Sequence, residues 1–481
     1  MEEILIKAAQ LVVALVLLVT IHEFGHYIFA RIFGVKVNRF YLFFNPWFSL
    51  LRYNPMKNTL EVIAYNKKDG TPKALTTLRV GKEHQPRPDG KPTWRDTIYG
   101  LGWLPLGGYC DIAGMVDETK GVDQLESEPQ PWELRSKPAW QRLCVMAAGV
   151  VLNFVLAIVI YIGIAFHWGD DVVPFQAMSE GMDFSDELVD AGFRKGDILM
   201  SLNGKELDAK DYSIQWDMMQ PGAEVGVLRN GELATVTIDD QLLRRIATKG
   251  KDYMPMSVRV PVYVAKTMRG EPAAKGGIAE GDRILTVGND TTPSITEFMP
   301  ALQAHKGETV PMQIVRANGS NETVNVSISD GGKIGIQMLS PYDIFDRSKV
   351  EYSLLQSIPR GWEIGTDRLV SYVSSLKLVF TKEGAQSLGG FGTLGDLFPN
   401  QWNWYAFWQI TAFLSVILAF MNVLPIPALD GGYILFLIVE IITRRKPSDR
   451  FLEVANTCGM FLLLLLLVYA NGNDIYRLFI K

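Results

Sequence analysis

The sequence predicts a membrane α-helical protein of four transmembrane helices that also carries a large extramembrane α+β portion. Three observations lead there. Four stretches, about 4–33, 139–166, 405–442 and 451–470, are rich enough in apolar residues to cross a bilayer, whose hydrocarbon core of roughly 30 Å takes about 20 residues of helix. Between the second and third lies a long block of ordinary soluble composition, and that block contains an internal repeat. The 481 residues are 48% hydrophobic and 21% charged, so apolar and soluble sequence are segregated rather than mixed.

The net charge is −5 and the basic residues are scattered, which gives nucleic acid no electrostatic footprint. Cys110, Cys144 and Cys458 lie far apart without a CxxC, so free thiols are expected and no disulfide framework. The first apolar segment (domain 1–34) runs into "TIHEFGHY" at 20–27 and not into a small-residue cleavage site, so it reads as a retained helix and not a signal peptide. Arg31, Lys36 and Arg39 follow it. Arg135, Lys137 and Arg142 lead into the second helix (138–167), and Arg444, Arg445, Lys446 and Arg450 fill the turn between the third (403–443) and fourth (451–471). Residues 168–187, by contrast, hold six acids and no Lys or Arg. The positive-inside rule then puts loop 35–137 and the 444–450 turn in the cytoplasm, with both termini and the long 168–400 block outside.

Within that block "GFRKGDILMSL" at 192–202 matches "GIAEGDRILTV" at 277–287: a Gly, three residues, Gly-Asp and a short apolar strand. "VPMQIVRANGSNETVNVSIS" follows with strand alternation and an Asn-Gly hairpin signal. The pattern resembles a pair of PDZ domains, expected at 168–258 and 259–340, whose strand edge beside a groove captures extended peptides or envelope proteins. The alternative is two unrelated hairpins sharing a turn. Residues 341–402 are expected as linker and interfacial segment. The glycines of "EGAQSLGGFGTLGDLFPN" at 383–400 disfavour a sustained helix there, and "QWNWYAFW" at 401–408 reads as an aromatic belt at the outer interface.

His22 and His26 stand i, i+4 on one helix face with Glu23 beside them. Two neutral imidazoles so spaced can bind Zn²⁺, and the glutamate can take a proton from water that the metal activates. The alternative is a pair of helix-packing histidines near the interface. Against it, two of the chain's five histidines fall within this one motif. A hydrolytic zinc site takes three protein ligands and leaves a position open. The third apolar block offers Asp430 in "MNVLPIPALDGGYILFLIVE", where Pro425, Pro427, Gly431 and Gly432 break regular helix. Glu440 in the same block reads as an interfacial charge beside the basic turn.

"HEFGH" in a first membrane helix, "NVLPIPALDGG" in a late one and an outside repeat resemble the site-2 protease family, in its bacterial RseP-type branch of intramembrane metalloproteases. "WLPLGGYC" at 103–110 resembles that family's membrane re-entrant β-hairpin, and "RLCVMAAGVVLNF" at 142–154 its second-helix signature. Val150 stands where the family usually has a proline after Ala-Gly, which leaves the local helix geometry open. The resemblance implies His22, His26 and Asp430 as Zn²⁺ ligands, Glu23 as the catalytic base, and Asn422 as a residue that positions substrate or stabilises the oxyanion. It implies Leu106, Gly107, Gly108 and Tyr109 as the edge that holds substrate extended. Partners would be single-span membrane proteins, an anti-sigma factor or a remnant signal peptide, cut in the bacterial inner membrane after their outside domain has been trimmed. Two other functions remain possible on the sequence. A catalytically idle PDZ scaffold predicts a decayed metal site, and a metal transporter predicts a polar path, for which the second and fourth helices supply little beyond Asn153 and Asn456.

Overall fold

The computed structural model describes residues 2–65, 72–104, 107–115, 128–207, 217–247, 255–379 and 389–480. Contacts divide the chain into one unit of residues 1–168 and 352–481 and a second of residues 169–351.

The first unit is built on helices. α1 (Glu2–Ile32) and α2 (Ala139–Trp168) are continuous apolar helices. With Val150 in place of a proline, α2 keeps every backbone donor and runs unbroken through the position left open by the sequence. α3 (Leu354–Val379) follows, then the short α4 (Phe391–Asp396), α5 (Trp404–Val423), α6 (Asp430–Thr443) and α7 (Asp449–Ile480). Among the described residues four helices are long and apolar enough to cross a membrane: α1, α2, α5 and the greater part of α7.

α3 occupies part of the stretch expected as linker. Gly361 and Gly365 bring it against α2 so closely that an added Cβ would lie 2.5 Å from Ile162 and 2.3 Å from Ile158. Of the glycine-rich segment expected to resist helix, 383–388 lie outside the described residues, and the remainder forms only the single turn and a half of α4. Asp474 of α7 accepts the Gly390 and Thr393 amides and so fastens that turn.

Between α1 and α2 the chain forms a six-stranded sheet of β1 (Val37–Leu42), β2 (Phe48–Asn54), β3 (Thr59–Tyr65), β4 (Pro72–Arg79), β5 (Ile98–Leu101) and β6 (Tyr109–Ile112), in the order β4-β3-β2-β5-β1-β6. This corrects the expected hairpin at 103–110. β5 and β6 are not paired with each other, because β1 lies between them, parallel to β5 and antiparallel to β6. Residues 105–106 of the connection lie outside the described residues, and on either side of it the chain stands on opposite flanks of β1. β6 is left at the sheet edge. Ala30 of α1, Val37, Ile112 and Val145 of α2 share one buried cluster, which seats β1 and β6 against both helices.

In the second unit β7 (Ile198–Leu202), β8 (Lys205–Glu206), β9 (Glu224–Arg229) and β10 (Glu232–Thr237) form a sheet in the order β8-β7-β9-β10. β11 (Val262–Thr267), β12 (Arg283–Ile284), β13 (Thr309–Val315), β14 (Asn321–Ser327) and β15 (Ile336–Met338) form another in the order β14-β13-β12-β11-β15. The sequence repeat is a structural one. Asp197 and Asp282 are each buried, and each accepts the amide three residues before it, from Arg194 and Ala279. Each also pairs at 2.7 Å with an arginine, Arg229 or Arg316, which in turn donates to the carbonyl of Gly192 or Gly277. The Gly-x-x-x-Gly-Asp pattern thus marks one half of a clamp whose arginine stands at the end of a later strand, as the last residue of β9 or the first after β13.

The two halves of this unit meet at buried Arg259, which donates to Asp183 at 2.7 Å and to Glu297 at 2.6 Å, while Lys195 reaches Glu297 at 2.6 Å. Burial alone would raise the pKa of Glu297. Hydrogen bonds from Lys195, Ser294 and Arg259 outweigh it and lower the value from 4.5 to about 2. A depressed folded-state pKa adds stability above the unfolded value and loses it as pH falls through the folded one. Glu297→Gln is therefore expected to lower the melting temperature of the detergent-purified chain at pH 7. Its gap to the unsubstituted chain should shrink between pH 4.5 and pH 2. A gap that stays constant over that range would exclude the ionised carboxylate as its source.

Candidate metal centre

Glu23, His22 and His26 project from the interior of α1, and the site is completed by α2, β6 and the N-terminus of α6. The helices approach closely at two glycines. A Cβ on Gly25 would lie 2.6 Å from the Ala148 carbonyl oxygen, and one on Gly149 would lie 2.6 Å from His26 Nε2 and 2.7 Å from His22 Cε1. α5 stops at Val423, and the proline-containing loop that follows, with Ala428 at φ +76°, turns the chain so that Asp430 begins α6 facing α1. Asn456 of α7 steadies that loop, accepting the Ala428 amide at 3.3 Å and donating to the Tyr433 hydroxyl at 2.6 Å.

His22 Nε2, His26 Nε2 and Asp430 Oδ2 form a nearly equilateral triangle with edges of 3.2, 3.1 and 3.3 Å. A tetrahedral zinc with bonds of about 2.0–2.1 Å sets its donors roughly 3.3–3.4 Å apart. Protonation supports the same fit. His26 Nδ1 lies 2.9 Å from the Val145 carbonyl oxygen, which only accepts, so Nδ1 holds the ring proton and a neutral His26 directs a lone pair into the triangle. Asp430 Oδ2 is buried there without a hydrogen-bond donor. Lone pairs facing each other across 3.3 Å repel unless a proton or a metal cation lies between them, and a metal ion satisfies all three donors at once. Among the described residues this is the one cluster of three or more His, Cys, Asp or Glu ligand atoms suited to a metal ion.

A cavity of about 250 Å³ opens beside the triangle, lined among others by His22, Glu23, His26, Gly108, Tyr109 and Asp430. The Glu23 carboxylate accepts the Cys110 backbone N–H, which ties it to edge strand β6. Gly108 fits closely here, since a Cβ would lie 2.7 Å from the Tyr41 carbonyl oxygen and 3.6 Å from Glu23 Cγ. Gly107 holds φ +150° against the ring of Phe44. Of the residues predicted from sequence, the structure gathers His22, Glu23, His26, Asp430, Gly108 and Tyr109 around the cavity. Gly107 and Asn422 are not among those lining it, with Asn422 on the last turn of α5. Leu106 lies outside the described residues. The sequence reading missed Gly149 as a packing partner of the histidines, and it set Asn153 and Asn456 aside as isolated polar residues. Their positions in otherwise apolar helices were the available signal.

The family model described as Peptidase family M50 matches residues 10–63 and 90–466. The chain belongs to peptidase family M50. Its relatives include the regulator of sigma E protease of Haemophilus influenzae, 25% identical over 97% of this chain and 98% of the relative. Protease RseP of Yersinia pestis is 24% identical over 99% and 100%. A Neisseria meningitidis chain assigned as a zinc metalloprotease is 26% identical over 97% and 98%. As an M50 member the chain is a membrane metalloendopeptidase of the site-2 protease type, and its donor set fits zinc.

Proposed function

We propose that this chain is an intramembrane zinc endopeptidase that cleaves single-span transmembrane substrates in regulated intramembrane proteolysis. The observation that carries this reading is the donor triangle of His22, His26 and Asp430, set among apolar helices next to Glu23 and an edge strand. Zinc, when bound, supplies Lewis acidity that polarises a peptide carbonyl and acidifies water. Glu23 takes the proton from the attacking water and returns it to the departing amine. A substrate helix hides its peptide bonds in its own hydrogen bonds, so it must be unwound first. The edge of β6, together with residues 106–109, holds the unwound segment as an added strand beside Glu23. Asn422, on the turn of α5 that leads to the ligand loop, orients the scissile peptide.

The substrates proposed are an anti-sigma factor, a remnant signal peptide or both, cut after prior trimming of their outside domain; the sigma E name of the Haemophilus relative supports the first. Lys and Arg flanking the helices favour an inner-membrane orientation with the 35–137 loop cytoplasmic and both termini outside. The duplicated modules of the second unit then lie outside as PDZ-like domains. Short edge strands such as β15, entered through Gly335 at φ +77°, fit extended peptides and suit them to exclude untrimmed substrates. The test compares cleavage, in detergent, of a tagged single-span substrate with and without its outside domain, before and after zinc chelation. Cleavage of the trimmed form alone, lost on chelation and restored by Zn²⁺, is expected. Chelator-resistant cleavage would rule out the metal reading, and equal cleavage of both forms would rule out the trimming requirement.

A further inference from the structure

We infer that Asn153 of α2 is the residue that sets the tautomer of His22 and so prepares Nε2 to bind the metal, an inference that rests on the zinc reading above. Asn153 is completely buried, and its backbone carbonyl accepts the Ser415 hydroxyl at 2.7 Å, so α5 holds this turn of α2 in place. Its side-chain amide meets His22 Nδ1 at 3.3 Å. The amide nitrogen is the end turned toward the ring, while Oδ1 is buried with no hydrogen-bond partner. A buried carbonyl oxygen without a protein partner is costly, and turning the amide would give it one.

The two ends of the amide have opposite consequences for the metal. A neutral imidazole carries one proton, on Nδ1 or on Nε2. With the amide NH₂ facing it, His22 Nδ1 must be the acceptor, the proton sits on Nε2, and that nitrogen has no lone pair for the triangle. A half-turn of the amide puts Oδ1 against Nδ1. Nδ1 then holds the proton, Nε2 is free to ligate, and the orphaned oxygen gains a donor. His26 already has the matching arrangement through the Val145 carbonyl oxygen at 2.9 Å. Both metal-binding rings are thus set from α2, one by a backbone carbonyl and the other by the Asn153 side chain. Asn153 acts through His22, as a positioning residue, and an acceptor is the chemistry required at this point.

The experiment measures zinc affinity by chelator competition, together with the thermal stability of the zinc-free form. It is run on the full detergent-purified chain and on Asn153→Leu, Asn153→Asp and His22→Ala. Outer partners of metal-bound histidines typically contribute roughly 10–100-fold to affinity. The expected result is a loss of that size in Asn153→Leu with an unchanged zinc-free melting temperature, and recovery to within a few-fold in Asn153→Asp, which keeps an oxygen acceptor of the same reach. Wild-type affinity in Asn153→Leu, or an Asn153→Asp as weak as Asn153→Leu, would overturn the inference. Should Asn153→Leu fail to fold, Asn153→Ala is read in its place by the same criteria. His22→Ala separates the two levels: if it binds zinc as tightly as the unsubstituted chain, the zinc assignment itself falls, whatever Asn153 does.

Discussion

Glu23→Gln is expected to abolish peptide-bond cleavage while leaving zinc bound. The substitution preserves the length of the side chain and an oxygen that can still accept the Cys110 amide. Among the described residues lining the cavity it removes the one carboxylate or imidazole free of the donor triangle, since Asp430 and both histidines are committed there. General-base catalysis is typically worth roughly 10²–10⁴-fold, and here the same group also delivers the proton to the leaving amine, so the loss should reach the upper part of that range. The measurement is the cleavage rate of a trimmed single-span substrate with zinc content determined on the same sample. Cleavage near the original rate would remove Glu23 from the mechanism. Loss of zinc along with activity would show instead that Glu23 is needed to build the site.

Gly149→Ala should be nearly as damaging, by a different route. On α2 the added methyl would stand 2.6 Å from His26 Nε2 and 2.7 Å from His22 Cε1, well inside van der Waals contact. The rings cannot move aside without disturbing the triangle, because His26 is anchored to Val145. Zinc affinity and cleavage are both expected to fall by about 100-fold or more, about 2.7 kcal/mol at the metal. Helix propensity pulls in the opposite direction, since alanine is favoured over glycine by about 1 kcal/mol in a helix interior. Gly163→Ala on the same helix is the control. Nothing lies within 4 Å of its would-be Cβ, so it should keep both zinc and activity. Equal behaviour of the two variants would refute the steric account.

That pair of glycines shows where legibility along the chain ends. Both sit in one apolar helix and are alike as residues, yet one touches the histidine rings and the other touches nothing. The difference depends on the rotation of α2 about its axis and on its distance from α1, which side-chain packing sets. The same holds for α3. It falls within the segment expected as linker, yet it carries the Gly361–Gly365 spacing, a signal for close helix contact in membranes. The expected hairpin at 103–110 failed for a topological reason. Glycines and an apolar flank mark a turn, but they do not reveal that β1 comes between the strands on either side.

What the residues specify locally could be read directly. The i, i+4 histidines with Glu23 follow from helix geometry, the solitary Asp430 in a broken apolar segment follows from the cost of burying charge, and the repeat follows from turn chemistry at Gly-Asp. The fold alone decided which groups complete these features. His26 finds its carbonyl 119 residues away at Val145, His22 finds Asn153 across 131, and Asp430 reaches both rings from the far end of the chain. Since lipid tails are as apolar as the side chains, hydropathy puts the helices in the bilayer but does not choose their neighbours. Their rotation and separation come from complementary shape, with glycine at the closest approach and hydrogen bonds at the few buried polar positions, and such complementarity exists only once both surfaces are in place.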